Sequence, residues 1–274
     1  MNALLLRGGR VLDPASGTDA LLDVLVDGDR VVEVGSGLAV GGSVEVLDVT
    51  GCWVTPGLVD LHTHLREPGG ETDEDVASGS RAAAAGGFTV VCAMANTDPV
   101  CDTSTVAELV WQRGRDVGLV DVRPVGAITR GLAGTELAPF GELRGCAAGV
   151  DAFSDDGLPV ADALVMRRAL EYARAFDVVV CDHAQDPTLS AGGQMHEGRV
   201  SSRLGLPGWP REAEDVMVAR DLLLAEGTGG RLHVLHVSTE GSVALVRAAK
   251  ERGVRVTAEV TPHHLTLTDE LVDG

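Results

Sequence analysis

Aromatic side chains are scarce in this sequence, and basic residues are outnumbered by acidic ones. Only 3% of the 274 residues are Phe, Trp or Tyr, whereas 35 are Gly. So few rings argue against a surface on which nucleic-acid bases stack. The 22 Lys and Arg against 41 Asp and Glu leave a formal net charge of -19. Nucleic acids and anionic membranes both require a basic surface, so we expect neither as a partner.

Paired cysteines and long apolar runs are also missing. The five cysteines are scattered and form no Cys-x-x-Cys motif, which is typical of reduced thiols rather than of a disulfide framework. Cys92 and Cys181 lie in apolar runs, so we expect them in the core. The sequence shows no basic start followed by an apolar segment and no apolar run long enough to span a bilayer. These absences predict a cytoplasmic protein.

Residues 1–53 have the pattern of short strands separated by turns. Apolar residues recur along 23–26 and 30–34, and the Asp27-Gly28 pair between these runs is a strong hairpin sequence. Further strands are predicted near 4–6 and 43–48. Since so few short strands bury little core, we predict an N-terminal β-sandwich segment that needs strands from elsewhere.

Residues 54–274 alternate apolar strands with amphipathic helices. The predicted strands are 54–61, 88–95, 121–128, 147–154, 177–183, 231–237 and 254–260, and the predicted helices are 73–86, 103–117, 160–176, 211–227 and 240–252. This alternation predicts an α/β fold with a parallel sheet and right-handed crossovers. A doubly wound nucleotide-binding sheet would carry G-x-G-x-x-G after its first strand, and residues 62–70 lack it.

We therefore favour a TIM-like (β/α)8 barrel, of which about seven strands are present. Because no eighth strand follows 254–260, the barrel is expected to be incomplete and the chain to be the front part of a longer polypeptide.

Functional side chains of such barrels lie at the carboxyl ends of the strands. His62 and His64 end the first strand, and residues two apart on a strand point to the same side, where two imidazoles can hold a divalent cation. The polar residues at the strand ends are His62, His64, Asn96, Asp155, Asp156, His183, His236, His263 and His264. Imidazoles with a carboxylate suit Zn²⁺, and a set this rich can hold two ions bridged by Asp156. The predicted chemistry is hydrolysis, or its reverse, at an amide-like carbon.

Several neighbouring residues have two interpretations each. Asp155 either faces the site or orients the start of the following helix. Arg66 either captures a substrate carboxylate or pairs with Glu67 or Glu71. His233 lies three residues before His236, so we expect it on the opposite face, where it packs or faces a helix.

Two further features have an open role. The Gly- and Pro-containing connection within 186–210 is either a cover over the site or a surface excursion, and His196 within it is expected at the surface. His263 either lines the pocket or packs beside it.

Six segments, taken in order, carry a family resemblance. They are 56–69 (PGLVDLHTHLREPG), 94–97 (MANT), 152–157 (AFSDDG), 182–184 (DHA), 233–238 (HVLHVS) and 259–265 (EVTPHHL). Together they resemble the motifs of dihydroorotases in the cyclic amidohydrolase superfamily. Hydantoinase-like relatives and animal dihydroorotases carry a carboxylated lysine where this chain has Asp155-Asp156, so the resemblance is to the bacterial (type I) dihydroorotases.

The resemblance implies a zinc-dependent, reversible cyclisation of N-carbamoyl-L-aspartate to L-dihydroorotate in pyrimidine biosynthesis, with about two zinc ions per full-length chain. The implied zinc ligands are His62, His64, Asp156, His183 and His236, with Asp156 bridging. Arg66 and Asn96, together with His64, are implied to bind the substrate. A homo-oligomer is expected, and aspartate transcarbamoylase is a candidate partner.

One family residue is expected outside the chain. It is the last zinc ligand, an aspartate at the end of strand eight that also transfers the proton, and its position would follow Gly274. General acid and base catalysis typically contributes roughly 10²–10⁴-fold, so we expect the 274-residue chain alone to be inactive, with no catalytic residue inside it. Two alternatives stay open: another cyclic amidohydrolase, such as a hydantoinase or allantoinase, and a non-catalytic dihydroorotase-like partner of aspartate transcarbamoylase.

Overall fold

The structure is a computed structural model that describes residues 3–272. It divides into two compact units, Met1–Leu58 and Val59–Gly274. Within residues 3–272, no helix has both the length and the apolarity needed to cross a bilayer.

The first unit contains one five-stranded sheet. Its strands are β1 (Leu4–Asp13), β2 (Thr18–Asp27), β3 (Arg30–Gly35), β4 (Glu45–Asp48) and β5 (Trp53–Val54). The order is β3-β2-β1-β4, with β5 also paired to β1. Asp27 pairs with Arg30 across an antiparallel β2–β3 hairpin, and Gly28 supplies a left-handed φ of 63° in its turn. The predicted hairpin is confirmed, whereas β1 is longer than its three predicted residues.

The second unit alternates strands and helices. Its main strands are β6 (Leu58–Thr63), β7 (Phe88–Ala93), β8 (Asp121–Pro124), β9 (Ala152–Ser154), β10 (Val179–Asp182), β13 (Arg231–Val234) and β14 (Val256–Ala258), and two short strands, β11 (Met195–His196) and β12 (Gly208–Trp209), pair with each other. The helices are α1 (Val76–Ala85), α2 (Ser104–Val117), α3 (Phe140–Gly145), α4 (Ala163–Phe176), α5 (Arg199–Leu204), α6 (Glu212–Thr228), α7 (Glu240–Glu251) and α8 (Pro262–Thr266).

The seven main strands form two sheets, ordered β6-β7-β8 and β9-β10-β13-β14. A parallel bridge between Gly126 and Phe153 links β8 to β9, so the seven strands follow one another in chain order. In the described residues β6 and β14 are the terminal strands of this order and no closed barrel is present. All seven predicted strands exist, and the α/β class is confirmed.

The core lies mostly between the helices and the sheet. Phe153 of β9 stacks on Phe140 of α3 with ring centroids 3.9 Å apart, and both rings are fully buried. The five predicted helices are present, but α3, α5 and α8 were not predicted because each has only five or six residues. Such a length is too short for a helical period of apolar residues to be recognised. Of the two cysteines predicted in the core, Cys181 is buried and Cys92 is half-buried.

Candidate metal centre

Four histidines converge at the carboxyl ends of β6, β10 and β13. His62 lies in β6 and His64 follows it, while Thr63 between them turns the other way and donates its hydroxyl to the Cys92 carbonyl at 2.8 Å. His183 directly follows β10, and His236 follows β13 by two residues. The alternation of side chains along β6 therefore delivers two imidazoles to one place, as the sequence predicts.

Asp156 lies between these imidazoles. Its Oδ2 is 3.3 Å from Nε2 of His62 and 3.3 Å from Nε2 of His64. Its Oδ1 is 3.3 Å from Nε2 of His236 and 3.4 Å from Nδ1 of His183. One oxygen thus faces each pair of histidines, and the side chain itself is only 5% exposed.

These distances fit a tetrahedral metal. Zn²⁺ binds imidazole nitrogen at about 2.0–2.1 Å, which places two ligands of one tetrahedral ion about 3.3 Å apart. The Asp156 oxygens lie at that spacing from all four imidazoles. Two three-ligand groups result, His62 with His64 and Asp156, and Asp156 with His183 and His236. The five residues are positioned to hold a metal.

The protonation of this cluster follows from its hydrogen bonds. Burial opposes the charged form of His62, but hydrogen bonds to Asp156 and Glu259 prevail and raise its pKa to about 9. Burial also disfavours the charged form of His183, but its hydrogen bond to Asp156 outweighs burial and raises its pKa. Burial favours a protonated Asp156, yet hydrogen bonds from the surrounding imidazoles hold its pKa well below the ordinary value. Without a cation the His62 ring therefore holds a second proton at neutral pH, and metal binding has to displace that proton.

Asp155 does not share this role. It is buried and accepts hydrogen bonds from the backbone N–H groups of Ile128 (2.8 Å) and Thr129 (2.9 Å), and from the Thr129 hydroxyl. The expectation that Asp155 orients the following helix is wrong, because Asp162 caps α4 by accepting from Leu164 N at 2.7 Å. Asp155 instead fixes the loop after β8.

The residues expected to bind a substrate lie next to His64. Asn96 Oδ1 is 3.1 Å from His64 Nδ1. Arg66 is exposed, with a left-handed φ of 59°, and its guanidinium has no ion pair or hydrogen bond to any of residues 3–272. The alternative pairing of Arg66 is wrong, because Glu67 pairs with Arg113 at 3.2 Å and Glu71 accepts from a backbone N–H.

Two residues that contact the histidine cluster, Glu259 and His233, differ from the sequence predictions. Glu259 Oε1 lies 2.6 Å from His62 Nδ1, and its Oε2 lies 3.2 Å from His233 Nε2. His233 was expected to pack or face a helix, but it belongs to the same cluster, on the side of the sheet shared by Cys181 and Leu235. The sequence does contain a pattern from which Glu259 could be predicted, since it is an acidic residue near the carboxyl end of the predicted strand 254–260.

A cleft of about 490 Å³ adjoins the histidines. His183 and His236 line one part of it, and His196, Trp209 and Arg211 line another. The 186–210 connection therefore borders the candidate centre. His196 is exposed, as expected.

The two histidines of α8 differ in their contacts. His263 is exposed and does not line the cleft beside the candidate centre. His264 is held between the hydroxyls of Ser238, at 2.9 Å, and Thr261, at 2.8 Å.

Comparisons with known proteins agree with this geometry. Residues 51–242 match the model of the dihydro-orotase-like family. The chain is 56% identical to the dihydroorotase of Streptomyces coelicolor over 274 residues, 99% of this chain and 62% of that protein. It is 52% identical to the dihydroorotase of Mycobacterium tuberculosis over 267 residues, 97% of this chain and 61% of that protein. The chain thus spans about three fifths of the length of these relatives.

Solved structures show the same architecture. A D-hydantoinase from a Bacillus sp. matches with a TM-score of 0.79 and 28% identity, covering 99% of this chain and 60% of that one. The L-hydantoinase from Arthrobacter aurescens matches with a TM-score of 0.80 at 23% identity, covering 98% and 60%, a likeness of fold.

Proposed function

The chain belongs to the dihydro-orotase-like family, and from this premise we propose that the whole protein is a dihydroorotase. It would interconvert N-carbamoyl-L-aspartate and L-dihydroorotate with zinc, in pyrimidine biosynthesis. The observation that carries the proposal is the position of Asp156 between two histidine pairs, in a chain more than 50% identical to proteins named dihydroorotase.

His62, His64, Asp156, His183 and His236 would hold the zinc, with Asp156 bridging two ions. When bound, zinc supplies a Lewis acid that polarises the carbonyl group at which the ring opens or closes. The chain's own contribution is orientation. Asp156 presents one oxygen to each histidine pair, and the buried surroundings strengthen each of these charge-assisted contacts.

Arg66 and Asn96 would bind the substrate beside His64. The Arg66 guanidinium has no partner among residues 3–272, so it is suited to bidentate capture of a carboxylate, and both carbamoyl-aspartate and dihydroorotate carry one. Asn96 directs its Oδ1 to His64 Nδ1 at 3.1 Å, and its amide NH₂ group, which has no hydrogen bond within residues 3–272, would donate to the same ligand.

We also propose two domains, 1–53 and 54–274. The first would form part of a β-sandwich, and the second would be a TIM-like amidohydrolase barrel. The chain-order parallel strands and the TM-score of 0.79 to a D-hydantoinase support the barrel. A cytoplasmic homo-oligomer, with aspartate transcarbamoylase as a candidate partner, would suit such an enzyme.

Metal analysis and turnover test the function together. We expect about two zinc ions per chain in the full-length protein, and conversion of carbamoyl-aspartate to dihydroorotate. Two bound ions with turnover of hydantoins or allantoin in place of carbamoyl-aspartate would favour the alternative amidohydrolases. Little bound zinc would favour a non-catalytic partner protein.

Arg66→Ala tests the substrate class. Because a charge-assisted hydrogen bond contributes about 1.5–3 kcal/mol, we expect KM for carbamoyl-aspartate to rise roughly 10- to 100-fold. Arg81→Ala on α1 is the control, since it removes an exposed guanidinium from the same unit. An unchanged KM in Arg66→Ala would contradict carboxylate capture by this residue.

A further inference from the structure

Glu259 makes contacts to three histidines of the cluster. It directly follows β14, and its side chain is 17% exposed. One oxygen, Oε1, lies 2.6 Å from Nδ1 of His62 and accepts the backbone N–H of His236 at 3.4 Å. The other oxygen lies 3.2 Å from Nε2 of His233. A single carboxylate therefore contacts one residue from each of the two three-ligand groups.

Strand register explains this position. β13 and β14 are parallel, with His233 opposite Thr257. Residues two apart along a strand share a side, which places Glu259 beside Thr257. The Thr257 hydroxyl lies 2.7 Å from Nδ1 of His233, so a chain of hydrogen bonds runs from Thr257 through His233 and Glu259 to His62.

The donors and acceptors in this series of hydrogen bonds define which nitrogen of each histidine ring carries the proton. A carboxylate accepts, so Nδ1 of His62 carries the proton that it shares with Glu259. When the ring is neutral, the remaining proton is therefore on Nδ1, and Nε2 of His62 presents its lone pair on the side of Asp156 Oδ2, 3.3 Å away. In His233, Nε2 donates to Glu259 while Nδ1 accepts from the Thr257 hydroxyl. This arrangement prepares His62 for a cation without any rotation of the ring.

His236 adds a second reason for the contact. Its backbone has a φ of 31°, a left-handed conformation that costs a residue with a Cβ energy. Two hydrogen bonds hold this residue in place. Its N–H donates to Glu259, and its carbonyl accepts from the Ser238 hydroxyl at 3.0 Å. Glu259 therefore helps to hold the turn that aims the His236 ring at Asp156 Oδ1.

We propose that Glu259 is a positioning residue for the metal centre. It sets the tautomer and orientation of His62, steadies the His236 turn, and is itself oriented by His233. The inference depends on the proposed metal site but not on the identity of the substrate. A purely structural ion pair would stabilise the fold without this selective effect on metal binding.

Metal affinity in Glu259 variants tests the role directly. Zn²⁺ is titrated against a chromophoric chelator, and Co²⁺ is added to report ligand geometry by absorption. Loss of a carboxylate that supports a metal-bound histidine typically costs 10- to 100-fold in affinity, so we expect a loss of about this size in Glu259→Ala. Glu259→Gln keeps a carbonyl acceptor for His62 and should lose less. The loss of affinity should fall mainly on the ion that His62 and His64 would hold, because Glu259 lies 2.6 Å from His62 and 3.4 Å from the backbone N of His236.

Matched variants separate positioning from charge and folding. Glu251→Gln removes the same charge from a nearby exposed residue at the end of α7 and should leave both affinities unchanged. Thr257→Val removes the outer hydrogen bond of the chain and should cause a smaller loss than Glu259→Ala. Circular dichroism establishes that each variant is folded, and Glu259→Gln, which conserves shape, serves if Glu259→Ala does not fold.

Two results would overturn the proposal. One is wild-type affinity for both ions in a folded Glu259→Gln and Glu259→Ala; the other is an equal loss at both ions that parallels reduced thermal stability. The proposed activity is tested separately. If the wild type binds metal as expected but fails to turn over carbamoyl-aspartate, the role of Glu259 stands and the dihydroorotase proposal fails.

Discussion

Raising the pH from 6.5 to 9 should destabilise the metal-free protein. The cause is His62, whose side chain is only 13% exposed. Burial disfavours its charged form, but hydrogen bonds to Asp156 and Glu259 outweigh burial and raise its pKa from 6.5 to about 9. A proton on this ring therefore stabilises the folded chain.

The sign and size follow from proton linkage. Because the folded pKa lies above the unfolded value of 6.5, the stabilisation is complete below pH 6.5 and is lost as the pH rises through 9. A pKa difference of about 2.5, at about 1.36 kcal/mol for each pH unit, corresponds to about 3 kcal/mol. His183, whose pKa is also raised, acts in the same direction. The lowered pKa values of Asp156 and Glu259 act at acidic pH, outside this window.

Urea unfolding in the presence of a chelator, at intervals between pH 6.5 and 9, measures the effect. Asp156→Asn removes one of the two groups that raise the His62 pKa and should flatten the pH dependence. Asp121→Asn, in an exposed pair with Arg123, is the control and should leave it unchanged. With saturating zinc the slope should reverse, because metal binding requires neutral imidazoles. A slope in Asp156→Asn equal to that of the wild type would refute the reasoning.

Two stability predictions concern buried contacts away from the ions. Asp155→Ala leaves the N–H groups of Ile128 and Thr129 without their acceptor, and each buried unsatisfied group costs about 1–3 kcal/mol. Thermal denaturation should show a loss of at least about 2 kcal/mol with unchanged zinc content, and a loss of zinc instead would place Asp155 in the site. Gly114→Ala puts a Cβ 2.4 Å from Val122 Cβ. The resulting overpacking, about 1–3 kcal/mol, should exceed the gain of about 1 kcal/mol in helix propensity, and Val122→Ala in the same chain should relieve it.

The order of strands and main helices could be predicted because it depends on local patterns. Apolar runs bounded by turn residues located the seven main strands of the second unit, with ends that differ by a few residues, but not the short β11 and β12. Helix boundaries moved where a cap decided them, as Asp75 does by accepting from Ser78 N at 2.6 Å before α1. The short α3 escaped prediction because six residues show no helical period, and its position depends on the stacking of Phe140 on Phe153 of the next strand.

The histidine set could also be predicted, because parallel strands bring their carboxyl ends to one edge. Which carboxylate serves the site could not be derived in this way. Asp155 and Asp156 are adjacent in the sequence. Only the three-dimensional course of the loop after β8 brings the N–H groups of Ile128 and Thr129 to Asp155. The prediction that His233 and His236 lie on opposite faces was wrong. The chain leaves the strand after Val234 and has a left-handed φ at His236, so the alternation of faces ends between the two residues.

The sequence by itself determined the ligand types, their strand-end positions and the alternation that puts His62 and His64 on one side. These are local properties, set by residue identity and by the two-residue period of a strand. Tertiary structure decided which atoms meet. The approach of β14 to β6 joins Glu259 to His62 over 197 residues of sequence, at 2.6 Å. A contact of that kind depends on how strands are arranged in space, and no local pattern encodes it.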